Sequence, residues 1–361
     1  MSRAAFLSHK DLNLIRFRMP VMRMLVELGH EVLAVCPDGG RAGRFAEAGV
    51  RHVPYEIDRG SLNPLKEAAV VRALSKLLAE LKPDLLHTFT MKPNIYGALA
   101  APEGTKVVAS VTGLGSYYSG ERTLFRRGLD ALYAHAMRRP GRVIFYNEDD
   151  RDEFVKLGIV SPEKVRMIKG SGVDVRRFVP VAKANPKVVV TMCARLIREK
   201  GVEQFLDAAE ALKGKAVFRL AGAPDAGNPT TLDDRVGRGS VERLGWVDDV
   251  AGLLAGTDIY CLPSYYREGI PVSVLEAMAA GLPVVTTISV GCRETIQHDK
   301  SGLFVPPRDS KALIKALDRL IGDAELRRRL GEGARKRAEQ VFAVDRIVDD
   351  HLAVYRELLD V

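Results

Sequence analysis

The sequence predicts an α/β protein of two doubly wound domains, each a parallel sheet with helices on both faces. Three observations carry this. Apolar runs of strand length alternate with amphipathic runs of helix length through both halves. The alternation restarts after a polar, proline-flanked stretch near the middle. The 361 residues suffice for about two domains of ordinary size.

In the first half AAFLS (4–8), EVLAVC (31–36), DLLHTF (84–89), KVVASV (106–111) and RVIFY (142–146) read as buried strands. Near-continuous apolar runs are what a parallel sheet covered on both faces requires. Between them LIRFRMPVMRMLVELG (14–29) and NPLKEAAVVRALSKLLAELKP (63–83) carry helical patterns. The stretch GSGVDVRRFVPVAKANP (170–186) interrupts the alternation, and Pro180 and Pro186 flank a short linker. KVVVTMC (187–193), AVFRLAG (216–222), TDIYCLP (257–263) and LPVVTT (282–287) are then the strands of a second α/β unit. The expected division is 1–182, 183–340 and a C-terminal helix over 341–361 that packs back towards the first domain. Two such domains favour a ligand cleft between them, outside the carboxyl ends of the strands. No tandem repeat or low-complexity segment is visible.

Composition narrows the class. Apolar residues make up 47% and charged residues 28%, as in soluble globular proteins. No apolar run approaches the ~18 residues needed to span a bilayer. The N-terminus MSRAAFLSHKDLN has no long apolar run of a secretory signal. Cys36, Cys193, Cys261 and Cys292 are far apart, and read as buried thiols of a reducing compartment rather than a disulfide framework or zinc site. A cytosolic protein is expected. The net charge of +8 is uneven: residues 1–182 carry 28 Lys and Arg against 20 Asp and Glu, and residues 183–361 carry 26 of each. A basic half suits nucleic acid, an acidic membrane surface or a phosphorylated substrate. Scattered solvated charge is the alternative.

The chemistry concentrates in TDIYCLPSYYREGIPVSVLEAMAAGLP (257–283), which reads as strand, loop, helix and stop. Gly269 lets the backbone approach a ligand closely, and Pro271 suits a first helical turn. The helix is expected to run to about Ala280, with Gly281 as cap and Pro283 as stop. Its free N-terminal amides make an anion site. Glu276 lies about four residues inside, ~6 Å along the axis at 1.5 Å per residue, roughly the distance from a diphosphate to the ribose of the same nucleotide. Glu268 stands in the preceding loop. Either Glu alone is explained by the helix dipole; the pair around Gly-Ile-Pro, at the end of a predicted parallel strand, points to a ligand. CARLIREKGVEQFLDA follows the first strand of the same half and places Arg195 and Lys200 in a strand-to-helix loop. Two cations there can neutralise a diphosphate without metal.

ARLIREKG, followed by GWVDDVAGLLAGTDIYCLPSYYREGIPVSVLEAMAAGLPVV, resembles the donor-binding half of glycosyltransferase family 4, retaining enzymes with the GT-B fold. The family signature, a Glu, seven residues and a Glu, preceded by an Arg and Lys five apart, is met by Glu268, Glu276, Arg195 and Lys200. TMKPNIYGALAA, VTGLGSYYSG, NEDDRDEF and GSGVDVRRFVP resemble the bacterial branch that builds surface polysaccharides and glycans on polyprenyl diphosphate. The resemblance implies that Arg195 and Lys200 bind the diphosphate and stabilise the leaving group. Glu276 would hold the ribose and Glu268 the donor sugar. The amides of Gly269, Ile270 and Val272 would complete the phosphate site, and the base would lie near Trp246 and Val247. The donor implied is a UDP-linked hexose or N-acetylhexosamine. Reaction by front-face displacement, with the leaving phosphate taking the acceptor's proton, rests on positioning and leaving-group stabilisation. No cofactor or metal is expected.

For the acceptor side the branch pattern points to Lys92, Asn94, Thr112 and Gly113. Arg16 and Arg18 replace the family's Gly-Gly loop, and either serve an anionic acceptor or are surface charge. His87, at a strand end, is a catalytic candidate, although a lone His is more often structural. Residues 121–142 hold Arg122, Arg126, Arg127, Arg138, Arg139 and Arg142 among Leu124, Phe125, Leu129, Leu132, Tyr133 and Met137. This is either a basic amphipathic helix at the cytoplasmic face of an anionic inner membrane or a packed helix with a solvated basic face. Asp150 and Asp152 form an Asp-x-Asp, but acids at a helix start follow from the dipole, so no metal role is assigned. Rivals are a sugar-nucleotide epimerase of the same fold, a transferase with a soluble acceptor, a non-catalytic nucleotide-sugar binder, and a nucleic-acid binder, which lacks any reading motif.

Overall fold

The computed structural model describes residues 1–361 apart from 59, 62, 116, 117, 119–122, 183, 184, 227, 234–238, 360 and 361. The chain divides into two compact units, Met1–Ser171 with Asp345–Val361, and Gly172–Val344. The first contains β1 (Arg3–Leu7), α1 (Asp11–Phe17), α2 (Met19–Glu27), β2 (Glu31–Val35), α3 (Ala42–Ala46), β3 (Arg51–Val53), α4 (Pro64–Leu81), β4 (Leu85–Phe89), α5 (Met91–Ala100), β5 (Lys106–Val111), α6 (Leu124–Ala136), β6 (Arg142–Phe145), α7 (Glu148–Lys156) and β7 (Val165–Met167). The second contains β8 (Val189–Cys193), α8 (Val202–Ala211), β9 (Val217–Ala221), β10 (Glu242–Gly245), α9 (Val250–Ala255), β11 (Ile259–Leu262), α10 (Val272–Ala279), β12 (Val284–Thr287), β13 (Gly302–Val305), α11 (Ser310–Gly322) and α12 (Ala324–Val341). The last helix, α13 (Val344–Arg356), belongs almost entirely to the first unit.

Both sheets are parallel and doubly wound. The strand orders are β3-β2-β1-β4-β5-β6-β7 and β10-β9-β8-β11-β12-β13. In each, the winding reverses between the first and fourth strands, and loops leaving the carboxyl ends of that pair diverge to leave room for a ligand. The centre is dry: every residue of β4 and β11 is buried. One face of the first sheet buries Leu7, Leu33 and Leu86 against α4, α5 and α6 through Leu74, Ile95 and Tyr133.

The division falls before Gly172, upstream of the expected linker. Val173 donates to the Phe342 carbonyl (2.8 Å) and accepts from the Val344 amide (3.0 Å). Arg335 of α12 donates to the carbonyls of Val175 (3.0 Å) and Phe178 (2.7 Å). These bonds tie residues 173–178 to the second unit.

The helix expected over 14–29 is two helices. Pro20 has no N–H for the Arg16 carbonyl, and its ring crowds that carbonyl, so the chain breaks at Arg18 (φ −124°, ψ −13°). The break turns Arg18 into the unit. It is 4% exposed, and the surface-charge reading of this residue is corrected.

His87 is corrected as well. It is fully buried, and its ring nitrogens meet the Tyr355 hydroxyl (2.6 Å) and the Ser110 hydroxyl (2.8 Å). Burial, with help from His351 and Arg18, drives its pKa well below the ordinary histidine value. No nitrogen is left for a substrate, and the residue fastens α13 to the sheet. Asp150 is buried in the N-terminal cap of α7, where its amide donates to Asn147 Oδ1 (2.8 Å) and its carboxylate accepts from Asn147 Nδ2 (3.0 Å).

Candidate active site

The second unit brings four of the singled-out residues to the point where its winding reverses. β8 and β11 are neighbours. The loop after β8 ends in a tight turn, Arg198–Lys200; the loop after β11 leads into α10. Gly201 closes the first loop at φ +78°, and a Cβ there would strike the Pro263 carbonyl, 2.6 Å from its carbon. Only glycine tolerates both the left-handed backbone and that approach. The two loops are then joined through one carbonyl: Glu199 accepts from the Tyr265 amide (2.8 Å), the Tyr266 amide (3.0 Å) and the Ser264 hydroxyl (3.3 Å).

This join sets the Lys200 ammonium on the Glu268 carboxylate, and both side chains are 11% exposed. Ser264 donates to the same carboxylate oxygen (3.1 Å). Arg195 pairs with Asp225 (2.5 Å) from the loop after β9. The Tyr266 ring lies 5.6 Å from Arg195 and 5.4 Å from the Lys200 ammonium, within cation–π range of both. Burial opposes the charge on Arg195, but Tyr266, Asp225 and Glu268 outweigh it and hold its pKa above the usual guanidinium value. A third loop fixes Glu268 from behind. Gly291 (φ +82°) lies so close that a Cβ would strike the Glu268 and Gly269 backbone. Beside it, burial and the Glu268 charge push the Cys292 thiol up to about 12, which keeps it inert.

Pro271 caps α10 without a side-chain hydrogen bond, and no acid stands in the first turn. The amides of Ile270, Val272 and Ser273 have no partner among the described residues, so this helix end can receive an anion. Glu276 is half-buried one turn further. It lies near enough to the Tyr260 phenol to raise its pKa, after burial and Cys193. Gly281 (φ +71°) ends the helix. Trp246, 51% exposed with its indole donating to Asp248 (2.8 Å), and Val247 follow β10, two strands from β8 at the same carboxyl edge.

Sequence reasoning missed Asp225, Ser264 and Tyr266. Loop residues outside a spaced charge motif give no signal until the strands are ordered. In the first unit it missed His9 and Thr90, which bridge the corresponding reversal point through Nδ1 and Oγ1 (2.9 Å). Thr90 stands at φ +73°, a genuine outlier for a β-branched residue.

Two acceptor-side expectations fail on geometry. Lys92 donates to the carbonyls of Asp58 (2.8 Å) and Ser61 (2.7 Å) and pairs with Glu67 (3.1 Å), so its charge anchors a loop. Asn94 is fully buried between Thr88 (2.7 Å), the Ser110 carbonyl (3.0 Å) and the Tyr133 hydroxyl (2.9 Å). Arg16 is exposed on α1, and Thr112 and Gly113 are half-buried after β5. On α6, Arg126 is turned inward, paired with Glu153 (2.6 Å) and stacked over Tyr118 (4.3 Å); Arg142, the first residue of β6, pairs with Glu357 (2.5 Å). Arg122 lies outside the described residues. What stays outward is Leu124, Phe125 and Leu132 with Arg127, Arg138 and Arg139. Among the described residues no group of three His, Cys, Asp or Glu could hold a metal ion, and no helix is long and apolar enough to cross a membrane.

The family described as Glycosyltransferase Family 4 matches residues 21–177, and that described as Glycosyl transferases group 1 matches residues 176–337. The chain is 31% identical, over 99% of both proteins, to the N,N'-diacetylbacillosaminyl-diphospho-undecaprenol alpha-1,3-N-acetylgalactosaminyltransferase of Campylobacter jejuni. The chain belongs to glycosyltransferase family 4. This glycosyltransferase is also 26% identical, over 82% of its length and 81% of the relative's, to the Escherichia coli UDP-Gal:alpha-D-GlcNAc-diphosphoundecaprenol alpha-1,3-galactosyltransferase. Its fold matches that of Anabaena HepE in complex with UDP and glucose, with TM-score 0.81 and 19% identity over 99% and 100% of the two chains. The Rickettsia africae glycosyltransferase matches with TM-score 0.81 and 18% identity over 99% and 98%. The fold is the two-domain α/β GT-B class.

Proposed function

We propose that this glycosyltransferase moves a hexose or N-acetylhexosamine from a UDP-sugar to a saccharide carried on polyprenyl diphosphate, with retention of configuration. The observation that carries the reading is the Lys200–Glu268 pair, set between Arg195 and the uncapped amides of α10. Two cations and a helix N-terminus match a diphosphate, and carboxylates on either side match the hydroxyls of ribose and sugar. Glu276 takes the ribose, Glu268 the sugar, and Trp246 and Val247 the base. Arg195, Lys200 and the amides of Gly269, Ile270 and Val272 stabilise the leaving UDP. The acceptor hydroxyl oxygen bonds to the anomeric carbon as the bond from that carbon to phosphate oxygen breaks, and the hydroxyl proton passes to the departing phosphate. These cations do the work a metal would do, so none is required. Arg16, Arg18, Thr112 and Gly113 line the acceptor side. The names of two relatives, each acting on a diphosphoundecaprenol-linked sugar, support this acceptor class. A lipid-linked acceptor places the enzyme at the cytoplasmic face of the inner membrane, touched by the outward face of α6. There Arg127, with Arg138 and Arg139 just beyond the helix, complements anionic headgroups, and Leu124, Phe125 and Leu132 reach the interface.

The test is a transfer assay with a panel of labelled UDP-sugars and a polyprenyl-diphosphate saccharide, in chelator, with the acceptor in anionic or neutral vesicles. The expected result is an α-linked product from an α-linked donor, formed faster on anionic vesicles. Isomerised sugar nucleotide without any acceptor would overturn the transferase reading. Equal rates on both vesicles would remove the membrane contact.

A further inference from the structure

Arg18 is a buried cation without a counter-charge. It is 4% exposed, and among the described residues its guanidinium has neither a carboxylate partner nor a hydrogen bond. Its contacts are rings: Phe89 at 4.5 Å and Tyr146 at 5.5 Å from the guanidinium carbon. Its neighbours His87 and His351 are fully buried, with pKa values driven down first by burial and in part by Arg18 itself. They are neutral and offset nothing. Ring contacts compensate only part of the cost of burying a cation. The Arg18 nitrogens keep contact with solvent, whereas the Tyr146 hydroxyl and His351 Nε2 are sealed and have no partner among the described residues.

The position is that of a ligand subsite. Phe89 ends β4 and Tyr146 follows β6. β5 runs between those strands and continues into Thr112 and Gly113, the latter at φ +120°. The guanidinium therefore stands at the carboxyl edge of the sheet, where doubly wound folds bind ligands. A planar guanidinium with unused donors suits an oxyanion bound through two oxygens.

We propose that Arg18 forms a phosphate subsite in the first unit, and that its occupant is the diphosphate of the lipid-linked acceptor. The second clause rests on the acceptor reading above; the first stands on the geometry alone. The experiment has two arms. In the first, the full-length enzyme saturated with UDP is titrated calorimetrically with inorganic diphosphate. Wild type is expected to bind it, Arg18→Lys to bind at least roughly tenfold more weakly because an ammonium cannot make the two parallel bonds, and Arg18→Met not measurably, as for charge-assisted hydrogen bonds. No binding by wild type, or undiminished binding by both variants, overturns the subsite. Arg18→Lys keeps the charge beside the rings, so a folding defect in Arg18→Met leaves the test intact. In the second arm both variants are expected to raise KM for the polyprenyl-diphosphate saccharide by about 10–100-fold, the worth of one charged hydrogen bond, with donor KM unmoved. Lost diphosphate binding with acceptor KM unchanged overturns the acceptor assignment and identifies a free-phosphate site. If no lipid-linked saccharide is a substrate, the acceptor reading fails and the first arm alone decides the subsite.

Discussion

Lys200→Met is expected to lower kcat/KM by roughly 10²–10³-fold, the usual worth of one preorganised group that stabilises a leaving charge. It should also destabilise the second unit. Lys200 and Glu268 are each 11% exposed in their side chains, and removing one partner of a buried pair costs about 3–5 kcal/mol because the other charge is left uncompensated. The two effects separate in the double variant Lys200→Met/Glu268→Gln. Its thermal unfolding should return most of the way to wild type, since no unpaired charge remains, while transfer stays lost. Recovery of transfer together with stability would show that the pair is structural only.

Gly201→Ala is expected to cost about 2–5 kcal/mol, from left-handed backbone strain and forced overpacking together, and to abolish most transfer. The left-handed backbone (φ +78°) is the smaller part. The larger is the new Cβ, which meets the Pro263 carbonyl, backbone that cannot rotate away. Relief requires the two loops to part, which separates Lys200 from Glu268. Gly214→Ala is the control: its φ is +84° but nothing lies within 4 Å of the added carbon, so it should show strain alone, about 1–2 kcal/mol. Equal losses in the two variants, measured by chemical unfolding, would mean that the approach to Pro263 does not matter.

The central strands were legible because burial on both faces forces continuous apolar runs, as in β4 and β11. The strands the sequence reading left out, β3, β7, β10 and β13, are the outermost in each sheet. They have three or four residues, and β10 (ERLG) exposes most of its surface. A strand paired on one side has less need of an apolar signature. The charges gathered at the reversal point of the second sheet were legible for a related reason: Arg195, Lys200, Glu268 and Glu276 sit at fixed spacings in loops and a helix whose ends are marked by Gly and Pro.

On the acceptor side, direction decided the outcome, and a sequence does not state direction. Lys92 and Asn94 face a loop and the core, and His87 faces α13. Arg18 turns inward at a break that Pro20 announces but whose aim it does not reveal. Tyr266 and Asp225 carry no signal of their own; they matter because β9, β8 and β11 are neighbours.

The central claim is that one UDP-sugar is held at both ends of EGIPVSVLE, ribose at Glu276 and sugar at Glu268. Calorimetric titration of wild type, Glu276→Ala and Glu268→Gln with UDP and with the UDP-sugar tests it most directly. Glu276→Ala should weaken both ligands by about 10–100-fold, as loss of a charged hydrogen bond does. Glu268→Gln should leave UDP bound within about twofold, and lose the additional affinity that the sugar brings, again a charged hydrogen bond. UDP affinity unmoved by Glu276→Ala, or lost equally in both variants, would contradict the division of the donor between the two carboxylates.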